Sequence, residues 1–110
     1  MNLAQLSSPL STLLSELVDG APVTGAYVLN PGDQGLLRSL DRLSAEAVSK
    51  IWHGGASIAA HTDHLRYGLS LMNRWASGEN PFADADWGSS WRRTTVTEDE
   101  WADLRTQLRV

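Results

Sequence analysis

Cysteine is absent from this 110-residue chain. That excludes disulfide scaffolds, thiolate metal sites and thiol nucleophiles, and it fits a reducing compartment. A positive charge balance is absent too. Lys+Arg is 9 against Asp+Glu 13, for a formal net charge of -4. The basic footprint of a nucleic-acid binder is therefore lacking. No run approaches the roughly 18 apolar residues that a membrane span needs. The start, Met1-Asn2-Leu3-Ala4-Gln5, has neither a positive n-region nor an apolar h-region. The expected location is the cytoplasm, with no membrane and no nucleic acid as partner. Glycine-rich phosphate loops are missing, since Gly54-Gly55 is too little. Ser89-Ser90 has no base that the sequence can place beside it, so nucleophilic catalysis lacks support. Arg92-Arg93 reads as a solvated pair rather than a phosphate site.

The residues that are present describe an ordinary globular chain. Hydrophobic residues make up 42% and charged residues 20%, which excludes a collagen-like, a coiled-coil or a disordered chain. The length supports one small core, so residues 1–110 are expected to form a single helical domain. Two features are unusual. Five Trp occur in a short chain, and His53, His61 and His64 fall within twelve residues.

Leucine spacing predicts the helices. Leu3, Leu6, Leu10, Leu13, Leu14 and Leu17 share one helix face. Two starts fit: Ser8 as N-cap with Pro9 at the first helical position, or one helix from about Leu3 kinked at Pro9. Gly20 followed by Ala21-Pro22 ends it. Residues 21–32, with Pro22, Gly25, Pro31 and Gly32, read as a connection. Asp33 can cap a second helix striped by Leu36, Leu37, Leu40 and Leu43, and 44–47 fits a further helical turn. The clearest helix runs from about Ala56 to Ser77, with Gly78 as its stop. Its expected inner face holds Ile58, His61, Thr62, Leu65, Gly68, Leu69, Met72, Trp75 and Ala76. Residues 78–96 form a long connection that Phe82, Trp87 and Trp91 are expected to pin down. The last helix opens on a capping box, Thr97 with Glu100, and a hydrophobic staple, Val96 with Trp101. Its stripe is Trp101, Leu104 and Leu108. The sum is an all-α antiparallel bundle with one long crossover.

Chemistry concentrates on the histidines. His61 lies about 40° from the centre of the apolar stripe, so its imidazole is expected to face the interior. There each ring nitrogen needs a partner, and a divalent metal such as zinc, nickel or iron is one. A bond to a carbonyl or a tyrosine is the commoner one. His64, three residues on, sits at the margin of the stripe, about 100° away. His53 lies in the loop before the glycine pair. Asp63, on the polar face, is expected to be solvated. Glu79, Asp84 and Asp86 lie nearby with nothing to fix them. The chain thus offers His61 as a metal ligand, with His64 and His53 as auxiliaries.

The stretch Ser57-Ile-Ala-Ala-His61-Thr-Asp-His64-Leu-Arg-Tyr-Gly-Leu, followed by Asn73-Arg-Trp75-Ala-Ser-Gly78-Glu79, resembles the DinB/YfiT-like superfamily of metalloenzymes. So does Asp86-Trp87-Gly-Ser-Ser-Trp91-Arg-Arg leading into Thr97-Glu-Asp-Glu-Trp101. The resemblance implies a DinB-like four-helix bundle holding a divalent metal on three histidines, one from the second long helix and two from a His-x-x-x-His pair on the last. It also implies kinship with thiol-dependent transferases and isomerases, and so a small-molecule substrate. His61 matches the second-helix ligand. No histidine follows Trp101, so the His-x-x-x-His helix would fall beyond Val110. Three explanations compete: a truncated product, a reduced member closed by dimerisation, or the 33–43 helix filling the vacant place. Each leaves the histidine site incomplete in one chain. A bundle short of one helix exposes an apolar groove, which a partner or a second copy covers. Two readings follow: a divalent-metal-binding DinB-like protein, or a non-catalytic helical module that acts by association, the expected assembly being a homo-oligomer.

Overall fold

Asn2 opens the first helix. A computed structural model describes residues 2–51, 54–92 and 95–109. Among them are five α-helices, two short 3-10 turns and no strand. They fall into two compact units, Met1–Arg42 and Leu43–Val110.

In the first unit, α1 (Leu3–Asp19) and α2 (Gly35–Asp41) pack together. Asn2 Oδ1 accepts from the Gln5 amide at 2.9 Å, and Gln5 Oε1 accepts from the Asn2 amide at 2.8 Å. This reciprocal cap settles the choice of start, and the helix continues through Pro9. Gly20 ends α1 at φ +107. A Cβ there would lie 2.7 Å from the Asp33 carbonyl oxygen, so only glycine fits. The Ala21 amide donates to that same carbonyl at 2.8 Å and closes the loop between the helices. Asp33 is not the N-cap of α2: Gln34 holds that position without a side-chain cap, and Asp33 Oδ1 instead accepts from the Gly35 amide at 2.8 Å in the turn before the helix. Tyr27, Val28 and Leu29 form no strand. Their amides all donate to Glu16, at 3.0, 2.8 and 2.7 Å. The leucine row of α1 is not a buried stripe, because Leu3, Leu6, Leu10, Leu14 and Leu17 are exposed.

The second unit holds α3 (Ala45–Val48), α4 (Ile58–Ala76), 3-10 turns at Pro81–Asp84 and Ser89–Arg92, and α5 (Glu98–Arg109). Serines cap α3 and α4: Ser44 and Ser57 accept from the Ala47 and Ala60 amides. The capping box of α5 forms as the sequence predicts, with Thr97 Oγ1 accepting from the Glu100 amide and Glu100 Oε1 from the Thr97 amide. Trp101 is wholly buried, and its indole N–H donates to the Leu43 carbonyl at 2.9 Å. Val48, Ala59, Ala60, Leu71, Val96 and Leu104 complete this core. Glu98 accepts from the Ala45 amide, and Ser49 accepts from the Val96 amide, so both ends of α3 are tied to the start of α5.

The inner face of α4 differs from the expected one. Ala59, Ala60, Thr62, Asp63 and Leu71 are buried, whereas Leu65, Leu69, Met72 and Trp75 are exposed. The buried face is turned by nearly half a turn, roughly 170°, from the hydrophobic pattern. Small residues explain this. Alanines let neighbours approach closely, and both Ala59 and Ala60 are buried. Among the described residues no helix is long and apolar enough to cross a membrane.

Candidate functional site

The long connection lies on α4 through its aromatic residues. Phe82 stacks with Trp87 at 6.2 Å between centroids, and Trp87 meets Tyr67 edge-on at 5.9 Å. The Tyr67 hydroxyl accepts from the Asp86 amide at 2.9 Å. Trp91 stacks on His64 at 4.5 Å and 26°, and it meets His61 edge-on at 5.1 Å and 77°. The three aromatics pin the connection as the sequence predicts. The histidines are part of that pinning.

The two described histidines exchange the roles that the helical pattern gave them. His61 is exposed, its ring against the edge of Trp91. His64 is half-buried between Trp91 and Trp87. The turned helix causes the exchange, because it brings the margin of the apolar stripe under the connection. The His64 Nδ1 atom is buried and has no hydrogen-bond partner. Such an orphaned polar atom costs free energy, on the order of 1–3 kcal/mol. The Ser90 hydroxyl, in the same 3-10 turn as Trp91, is also buried without a partner. His53 lies outside the described residues.

The candidate carboxylates are engaged elsewhere. Asp63 is not solvated: it is buried and takes Nε and Nη2 of Arg66 on one oxygen, both at 3.0 Å. Glu79 pairs with Arg74 at 3.2 Å on the surface. Asp86 pairs with Arg92 at 2.6 Å, and that guanidinium hydrogen bond holds its carboxyl below the ordinary range. Asp84 is exposed in the first 3-10 turn. Among the described residues no three His, Asp or Glu side chains stand close enough to hold a metal ion.

Sequence reasoning missed what lies along the rest of α4. Leu65, Leu69, Met72 and Trp75 are between 40% and 63% exposed. Beside Leu69, a groove of about 470 Å³ runs between α4 and α5, lined by Arg66, Leu69, Ser70, Asn73, Gln107 and Leu108. The apolar periodicity of α4 marks this row, but periodicity alone places it in the core. No family model, curated protein or solved structure matches the chain.

Proposed function

We propose that this protein is a helical association module, acting by covering its exposed apolar helix faces with a second copy of itself. One observation carries the reading: the most hydrophobic face of α4, from Leu65 to Trp75, is turned away from the core of its own unit. Isolated surface leucines are common, but a contiguous apolar row of this kind marks an interaction surface. The adjoining groove takes one leucine from each helix, Leu69 and Leu108, among the polar Arg66, Ser70, Asn73 and Gln107. An amphipathic helix is the natural occupant of such a groove. Sedimentation of wild type and Leu69→Glu over a range of concentrations tests this. Association that strengthens with concentration and weakens in the variant supports it, and a monomer throughout opposes it.

The divalent-metal protein implied by the DinB/YfiT-like resemblance is a second reading, and the orphaned His64 Nδ1 favours it. His61, the position the resemblance marks, stands one turn away on the same tryptophan. The described residues bring no third donor to these two, so no chemical step is derived through a metal. Elemental analysis of purified wild type and His64→Ala tests it. Zinc, nickel or iron retained by wild type and lost from the variant supports the reading. No metal in wild type opposes it.

A further inference from the structure

The first unit carries an apolar face of its own. Leu3, Leu6, Leu10, Leu13 and Leu17 follow steps of three, four, three and four, the spacing of a two-helix seam with leucine at both core positions. Leu14 widens the row on one side. Leu3, Leu10, Leu14 and Leu17 are 85%, 53%, 62% and 43% exposed, Leu6 is 39% exposed, and Leu13 is half-buried. Within the unit, α2 packs on α1, and Glu16 holds the loop at residues 27–29. The seam spans only two heptads, but α1 is ordered at both ends by its Asn2 cap and its Gly20 stop.

Charge indicates what covers this row. In the heptad the seam is flanked by Asn2, Ser7, Pro9, Leu14 and Glu16. Only Glu16 is charged, and its carboxylate is turned to the amides of residues 27–29. A helix chosen by charge would find nothing here to read, because partner choice in such seams rests on flanking charges. A second α1 meets no like charge and presents the same leucine repeat. Pro9, on the flank, stays out of the seam. Two such faces together offer an area on the order of 1,000 Å², about the least that a stable interface buries.

We infer that two copies of this chain pair through α1, leucine row against leucine row. The inference rests on the association reading and names the contact. The absence of cysteine makes it directly testable. Leu10→Cys places one thiol in the seam, and Ser15→Cys places one on the opposite face of α1. Mild oxidation is expected to link Leu10→Cys into a covalent dimer and to leave Ser15→Cys largely single. Leu10→Glu is expected to lower the solution mass by half while the helical circular dichroism is kept. If Leu10→Cys does not cross-link and Leu10→Glu still associates, while Leu69→Glu does not, the α1 contact is overturned and the association reading stands. If wild type is a monomer at every concentration, both are overturned.

Discussion

Glu16 shows what one side chain does for this chain. Its carboxylate is nearly inaccessible and accepts three successive amides, those of Leu29, Tyr27 and Val28. Those hydrogen bonds, the one from Leu29 foremost, hold its pKa below the ordinary 4.5. The sign follows from linkage: a carboxyl with a depressed folded pKa contributes stability above its unfolded value, and that contribution fades as the pH falls through the folded value. Glu16→Gln is expected to speed amide hydrogen exchange at residues 27–29 at neutral pH and to flatten the acid limb of the first unit's unfolding. Equal exchange in both proteins would contradict the account. Gly20 adds a steric requirement. Gly20→Ala places a methyl against the Asp33 carbonyl at positive φ, and chemical denaturation is expected to show a loss of more than about 1 kcal/mol.

At the scale of elements, local signals were legible and facing was not. The α5 capping box could be read because Thr97 and Glu100 are three residues apart and need nothing from the rest of the chain. Thr97→Ala is expected to cost about 1 kcal/mol in chemical denaturation. The Gly78 stop of α4, at φ +97, was equally local. The Asn2 cap was missed because Ser8-Pro9 is the stronger textual signal, yet α1 carries Pro9 in its interior. The inner face of α4 could not be read at all. Periodicity finds the apolar face of a helix, but which face becomes the core depends on what packs there. Here the buried side of α4 carries the small Ala59 and Ala60, which permit closer packing than leucines would. His61 and His64 moved with that face. Trp91 is the contact that fixes the connection over them. Trp91→Ala is expected to open residues 85–92 to limited proteolysis and to leave the far-ultraviolet dichroism of α4 nearly unchanged. Resistance equal to wild type would show that Trp91 is not the pin. Trp101 belongs to the core rather than to the surface, and Trp101→Ala is expected to destabilise by about 3–5 kcal/mol.

At the scale of the whole molecule, the all-helical class followed from the sequence, whereas the distribution of apolar surface did not. The leucines of α1 and the row on α4 have the pattern of buried stripes and the exposure of a surface. A chain of 110 residues has few apolar side chains to spare, so two rows left uncovered make association the central claim. Sedimentation equilibrium of the unmodified protein tests it most directly. The account predicts a mass near twice 12.0 kDa that falls toward 12.0 kDa on dilution. A mass of 12.0 kDa at every concentration would contradict it.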